Sequence, residues 1–96
     1  MRYEWDPDKA AANLAKHGVA FEDIRRFDWT TAFTLRDDRK DYREARYVAV
    51  GRIGERLYKV VFTWRAGVVR VISMHKANDR DRRKFDERSR RLSRME

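Results

Sequence analysis

Apolar residues recur along the chain first with a helical period, then with the alternation of strands, and finally with a helical period again. This order predicts an α+β fold in which N-terminal helices pack on a mainly antiparallel sheet of about four to five strands, with a C-terminal basic helix. After a short strand over 2–5, Asp6 and Pro7 suit the start of a helix, and Gly18 suits its end. We therefore expect the first helix over 7–17. Its apolar positions are Ala10, Ala11, Leu14 and Ala15.

A second short helix is expected over 19–27, because large apolar residues fall on one stripe: Phe21, Ile24 and Phe27. Its start is weakly capped, since Ala20 carries no side-chain oxygen. Residues 30–36 then alternate in the manner of a strand. The charged segment 37–44 is expected to be an exposed loop.

Three longer strands are expected next, and the two links between them each contain a glycine. Two-residue links of this kind favour tight antiparallel hairpins, here at Gly54-Glu55 and Ala66-Gly67. The expected strands are 46–53, 56–64 or 56–65, and 68–75.

The hairpin turns fix which residues lie opposite one another. With two-residue turns, Thr63 pairs with Arg46 on one side and with Arg70 on the other, and Arg65 and Lys59 share their face. A one-residue slip or a bulge would change this assignment. The opposite face collects the expected core: Tyr47, Ala49, Tyr58, Val60, Phe62, Trp64, Val69 and Val71.

The last helix is expected over 78–93, with Asn78 or Asp79 as its cap. It carries many cations and a narrow apolar seam, so weak docking on its own chain is expected. The cations fit either a solvated helix face or contact with phosphates or an acidic partner. The seam consists of Ala77, Phe85 and Leu92.

Charge is the strongest compositional signal. Lys and Arg number 24 against 16 Asp and Glu, which gives a formal net charge of +8. Eighteen of the cations are arginines, whose planar guanidinium matches a phosphate bidentately. The composition favours a nucleic-acid partner, and RNA in particular if the protein is an enzyme without a metal.

The 96 residues suit one domain, 1–96, and the chain has no cysteine. A thiolate metal site and a cysteine nucleophile are thereby excluded. The acidic residues show no metal-ligand spacing, so no metal and no cofactor are expected. No apolar stretch suits a secretory signal or a membrane helix, which predicts a cytoplasmic protein without membrane contact.

The candidates for chemistry are Arg46, Arg65, Arg70, His75 and Lys76. RNA supplies its own nucleophile, the 2′-hydroxyl, so a protein needs to orient the strand, move a proton and stabilise the charged phosphate. Imidazole is the side chain that most often transfers protons in enzymes, so His75 suits the proton transfer, whereas the arginines suit phosphate binding. The alternative is structural: a solvated sheet face with ion pairs worth about 0–1 kcal/mol each, and a histidine without a catalytic role.

The sequence resembles the BrnT toxins over nearly its whole length. The opening motifs are Glu4-Trp5-Asp6, Lys9, Asn13, Lys16-His17-Gly18-Val19 and Phe21-Glu22-Asp23. The later motifs are Asp38, Glu44 with Arg46, Gly51, Thr63 with Arg65, Arg70-Val71-Ile72-Ser73, Lys76-Ala77 and the basic last helix.

The resemblance implies a RelE-like fold and an RNA-cleaving toxin of a type II toxin–antitoxin system that arrests translation. It also implies a BrnA-like antitoxin with a ribbon-helix-helix region, a heterotetrameric complex, and contact with operator DNA only through that antitoxin.

The sequence departs from the family pattern at three positions. His75 stands where the family commonly has Arg, which implies a changed proton-transfer group. Phe85 stands where a Tyr is expected, so one hydroxyl donor is missing. Ala20 replaces the usual Ser and removes a capping bond worth about 1 kcal/mol.

Our leading hypothesis is a metal-independent endoribonuclease in which Arg46, Arg65 and Arg70 hold the scissile phosphate, Lys76 assists and His75 moves a proton. The alternative is a non-catalytic module that binds RNA or an acidic partner through the same cations. A DNA-binding regulator is a third hypothesis, although no helix-turn-helix pattern stands beside the last helix.

Overall fold

The computed structural model describes residues 1–95, which form five strands, two α-helices and one 3₁₀ helix. The strands are β1 (Tyr3–Trp5), β2 (Phe33–Arg36), β3 (Tyr47–Ile53), β4 (Arg56–Arg65) and β5 (Val68–Lys76). The helices are α1 (Pro7–His17), the 3₁₀ helix (Phe21–Arg26) and α2 (Asp79–Arg94). None of the helices in residues 1–95 is long and apolar enough to cross a membrane.

The strands form one sheet in the order β1-β5-β4-β3-β2. β1 runs parallel to β5, and the other neighbouring pairs are antiparallel. The predicted α+β fold with a mainly antiparallel sheet is confirmed.

Both hairpin turns contain two residues, as predicted. Ala66 and Gly67 both have positive φ angles, of 50° and 79°, which is the backbone of a tight hairpin turn that follows the twist of its strands. The turn places Thr63 opposite Arg70, which confirms that pairing. On the other side of β4, Phe62 pairs with Tyr47 in the register that the prediction requires.

A β-bulge in the middle of β5 changes which of its side chains enter the core. Val61 lies opposite Ser73 and Phe62 opposite Val71, so Ile72 has no partner across the strand. One extra residue shifts the alternation by one position. Met74 is fully buried as a result, although the predicted core does not include it.

The core lies mainly between the sheet and the two N-terminal helices. Of the predicted core residues, Ala49, Val60, Phe62, Val69 and Val71 are buried, and Tyr47 and Tyr58 are partly buried. The prediction for Trp64 was wrong: it lies near the end of β4 and is 47% exposed.

α1 begins and ends where the sequence predicts. Asp6 accepts a hydrogen bond from the Asp8 N–H, and Gly18 ends the helix with a φ of 69°. Its buried residue is not apolar, however: Asn13 is 7% exposed, whereas Leu14 is 52% exposed.

The second predicted helix is a 3₁₀ helix, and Ala20 gives it no side-chain cap. Three residues per turn bring every third side chain to the same side, which suits the spacing of its apolar residues. All three are buried: Phe21, Ile24 and Phe27.

β2 begins at Phe33 rather than at residue 30. Thr30 and Thr31 are held outside the sheet because both bind the Asp28 side chain, through the Thr30 N–H at 3.0 Å and the Thr31 hydroxyl at 2.8 Å. Such local hydrogen bonds compete with strand pairing.

α2 covers part of the other face of the sheet, and Asn78 caps it as one of the two predicted candidates. Phe85 is 4% exposed and packs with Phe33, Val50 and Leu57 in a second, smaller core. Leu92 was predicted to extend this seam but is 56% exposed. The docking of α2 on its own chain thus rests on Phe85, with Ala77 beside it.

Candidate functional site

Three arginines from neighbouring strands meet beside one carboxylate. Arg46 directly precedes β3, Arg65 ends β4, and Arg70 lies in β5. The Arg65 guanidinium binds Glu44 bidentately, with Nε 3.2 Å from one carboxylate oxygen and a terminal nitrogen 2.8 Å from the other. We call Glu44, Arg46, Arg65 and Arg70 the arginine cluster.

The pKa of Glu44 reports this surrounding positive charge. The hydrogen bonds from Arg65 lower the pKa of Glu44, desolvation opposes this, and the charges of Arg65, Arg46 and Arg70 lower it further. Glu44 in turn raises the pKa of Arg65. Glu44 is therefore an ionised carboxylate among three guanidinium groups at neutral pH.

Arg46 is held in place but is not fully hydrogen-bonded. Its guanidinium carbon lies 4.4 Å from the centre of the Tyr42 ring, which is the geometry of a cation–π contact. The Thr63 hydroxyl donates to the Ala45 carbonyl oxygen at 2.7 Å and fixes the backbone beside it. Among the buried side-chain nitrogen and oxygen atoms of residues 1–95, the Arg46 Nε is the one without a hydrogen-bond partner.

Arg70 has a second carboxylate near it, because β1 runs alongside β5. Glu4 pairs with Arg70 across the two strands, and a carboxylate oxygen of Glu4 lies 3.7 Å from a terminal nitrogen of Arg70. The two glutamates thus partly neutralise the three arginines.

The loop before Arg46 is anchored by Asp37, whose side chain is buried although the segment was predicted to be exposed. The Asp37 carboxylate accepts hydrogen bonds from the Arg39 backbone N–H and guanidinium and from the Tyr42 hydroxyl. These bonds, those from Arg39 first, hold the pKa of Asp37 far below its usual range. The Asp37 N–H also donates to the Arg46 carbonyl oxygen at 2.7 Å, so the loop positions Arg46.

His75 and Lys76, the other two predicted site residues, lie toward the far end of β5. His75 pairs with Lys59, and cross-strand partners share a face, so the bulge leaves His75 on the same face as Thr63 and Arg70. His75 is five positions after Arg70 along β5. One of these positions is taken up by the bulge, so at about 3.3 Å per residue the two residues are about 13 Å apart.

The His75 ring is in contact with a second histidine at the end of α1. The ring centres of His75 and His17 are 5.2 Å apart, and His75 Nδ1 lies 2.8 Å from the Lys76 carbonyl oxygen. Desolvation lowers the pKa of His17, and the charges of His75 and Lys16 lower it further. The structure therefore brings Arg46, Arg65 and Arg70 together and places His75 and Lys76 apart from them.

Residues 5–81 match the family described as "Ribonuclease toxin, BrnT, of type II toxin-antitoxin system". The chain belongs to the BrnT family. A comparison with curated proteins finds no match. The family is one of ribonuclease toxins, so RNA as the substrate and an antitoxin as the partner are properties of the family to which this chain belongs.

The BrnT match spans the whole arginine cluster together with His75 and Lys76, and it ends in the first turn of α2. Two members of the site were not among the candidates chosen from residue chemistry: Glu44 and Glu4. Glu44 lies in a bend two residues before Arg46, within the segment predicted as an exposed loop, so strand alternation does not identify it. The available signal was the family motif that joins Glu44 with Arg46. Glu4 depends on the parallel pairing of β1 with β5, which local sequence does not specify.

Proposed function

We propose that this BrnT-family protein is a metal-independent endoribonuclease that cleaves RNA at the arginine cluster and thereby arrests translation. The observation that carries the proposal is the convergence of three arginines from separate segments around Glu44, which Arg65 binds bidentately. Like charges on adjacent strands repel one another, and a phosphate bound between the arginines would relieve that repulsion. This supports an anion at this position.

Phosphate binding would also change the state of Glu44. The bidentate pair between Arg65 and Glu44 occupies the guanidinium edge that suits a phosphate. When a phosphate takes that edge, Glu44 loses the hydrogen bonds that lower its pKa most. Its basicity rises, and it then stands beside the bound phosphate as a proton acceptor.

The proposed reaction needs no other nucleophile than the RNA itself. The 2′-oxygen attacks the adjacent phosphorus and gives its proton to Glu44, while the bond from phosphorus to the 5′-oxygen breaks and that oxygen takes up a proton from solvent water. The products are a 2′,3′-cyclic phosphate and a 5′-hydroxyl. Arg46, Arg65 and Arg70 stabilise the extra negative charge on the phosphate oxygens as the transition state forms.

His75 stays our second candidate for proton transfer, with Lys76 assisting. An Nδ1–H donor fits its contact with the Lys76 carbonyl oxygen, and this leaves Nε2 as the proton acceptor. Its distance from Arg70 makes it the weaker candidate at the same phosphate. Variants at Glu44 and His75 separate the two candidates.

The test is cleavage of total RNA in EDTA by the purified protein, together with growth of a bacterial host after induction. We expect EDTA-resistant cleavage and growth arrest, with both lost in Arg65→Ala and Glu44→Gln. Arg36→Ala is the matched control. It also removes an arginine from an ion pair, but Arg36 ends the edge strand β2 and its pair with Asp38 is exposed. Loss in His75→Ala with full activity in Glu44→Gln would assign the proton transfer to His75 instead.

Intact RNA, unimpaired growth and retained RNA affinity in the parent protein would replace this proposal by the alternative, a non-catalytic binding module on the same scaffold. Cleavage that EDTA abolishes would contradict the metal-free mechanism. Each variant should first be checked for an unchanged melting temperature, since Arg65 is half-exposed and its loss should not affect folding.

The antitoxin part of the proposal is inferred from membership of a toxin–antitoxin family. We propose that a BrnA-like antitoxin with a ribbon-helix-helix region neutralises this protein in the cytoplasm, in a heterotetramer that contacts operator DNA through the antitoxin alone. Co-expression with the neighbouring reading frame, followed by purification and mass measurement of the complex, tests it. An encoded neighbour that neither binds the protein nor restores growth would contradict this part.

A further inference from the structure

A second cationic site lies at the opposite end of the sheet from the arginine cluster. A cavity of about 590 Å³ is formed between the β3–β4 hairpin, the end of β5 and the first turns of α2. Four cations line it, together with only two acidic residues, Glu55 and Asp86. The cations are Arg52, Arg56, Lys76 and Arg82.

Unlike Arg65 and Arg70 of the arginine cluster, these four cations have no carboxylate partner. In the part of the chain that the structure describes, residues 1–95, none of the four lies within 4.0 Å of a carboxylate oxygen. Arg52 is instead oriented by an aromatic ring, with its guanidinium carbon 5.3 Å from the centre of the Phe85 ring. Its N–H groups therefore stay available to an incoming anion.

We propose that this cavity binds phosphates of a single-stranded RNA segment that flanks the bond to be cut, an inference that rests on the proposed ribonuclease function. β4 connects the two sites, since Thr63 lies beside the arginine cluster and Arg56 lines the cavity. Thr63 and Arg56 are seven positions apart along the strand, or about 23 Å. An RNA strand of several nucleotides reaches both, whereas a shorter one reaches only one.

The lining of the cavity favours RNA over a protein segment. A docked peptide needs exposed apolar anchors, but the two large apolar residues in the lining, Ile53 and Leu57, are buried. The large exposed apolar residues lie elsewhere: Met1, Leu14, Leu35, Trp64, Leu92 and Met95. Phosphates require only cations and hydrogen-bond donors, which the arginines provide.

The experiment compares the binding of two non-cleavable probes, 2′-O-methyl RNAs of about twelve and about three nucleotides, over a range of salt concentrations. We expect the double variant Arg52→Ala, Arg56→Ala to bind the longer probe about tenfold more weakly. Its salt slope should fall by about 1.4, since each single-strand phosphate contact contributes about 0.7. Affinity for the short probe should be unchanged.

The matched control is Lys9→Ala, Arg26→Ala, which removes the same charge from exposed positions on α1 and the 3₁₀ helix. If both double variants lose equal affinity and slope, only net charge matters, and the proposal is overturned. Unchanged RNA binding with lost binding of an acidic peptide would also overturn it, in favour of a protein site. Failure of the ribonuclease proposal is seen separately, as uncut RNA, because binding here is measured on probes that cannot be cut.

Discussion

Replacing Asn13 is expected to cost more stability than any other single polar substitution in α1. Its side-chain amide donates to the Val19 and Met74 carbonyl oxygens at 3.0 and 2.8 Å and accepts from the Met74 N–H at 3.1 Å. The Met74 backbone is thus paired as it would be by a further strand, at a point that β1 does not reach. Asn13→Ala leaves three buried backbone groups without partners.

The magnitude follows from these three bonds. Each contributes about 1 kcal/mol net, and an abandoned buried group costs about 1–3 kcal/mol, so we expect a loss of about 3 kcal/mol. For a domain of this size that lowers the melting temperature by more than about 10 °C. Urea unfolding at neutral pH measures it, with the adjacent exposed Leu14→Ala as the control, expected to cost less than about 0.5 kcal/mol.

Asn13→Asp sharpens the test, because it keeps the acceptor for Met74 but places a carboxylate oxygen against two carbonyl oxygens. Its folded pKa should be raised above the unfolded value of about 3.9, so the variant gains stability as the pH falls and loses it as the pH rises through the folded pKa. A loss below about 1 kcal/mol in Asn13→Ala, or a pH-independent Asn13→Asp, would refute the reasoning.

Three further predictions concern stability and are measured by urea unfolding. Gly51→Ala should cost about 1–3 kcal/mol, because its Cβ would lie 2.6 Å from the buried Phe27 ring; an unchanged midpoint would contradict the close approach. Phe85→Ala should cost about 3–5 kcal/mol and loosen α2, whereas Leu92→Ala should be almost neutral, and equal effects would contradict the docking described. Asp37→Asn should be destabilised relative to the parent at neutral pH, and the difference should shrink as the pH falls below about 4, because a carboxyl with a lowered folded pKa loses its contribution on protonation; a constant difference would count against it.

Local signals were sufficient for much of the fold. The caps at Asp6 and Gly18 and the two glycine-containing turns are determined by neighbouring residues, so the bounds of α1 and the pairing of Thr63 with Arg70 could be predicted. The start of β2 at Phe33 could not be predicted, because the alternation in residues 30–32 does not reveal that Thr30 and Thr31 bind Asp28 instead of pairing in the sheet.

The site was predictable only where strand register governs it. Thr63 and Arg70 could be placed because two-residue turns set the partners, and Arg65 lies two residues along the same strand. The pairing of Arg65 with Glu44 and of Arg70 with Glu4 depends on a loop and on a parallel edge strand, whose positions come from long-range packing. Of the five predicted site residues, three lie together in the cluster and two, His75 and Lys76, lie apart from it.

The bulge at Ile72 connects the stability of this protein with the proposed chemistry. Without it, alternation from Arg70 would turn His75 toward the N-terminal helices and Met74 away from them. With it, Met74 enters the core and His75 shares the face of Arg70. Asn13 binds both the N–H and the carbonyl of Met74, on the edge of β5 that β1 does not reach. The buried polar residue of α1 therefore holds the segment after the bulge, where Met74 enters the core and His75 shares the face of Arg70.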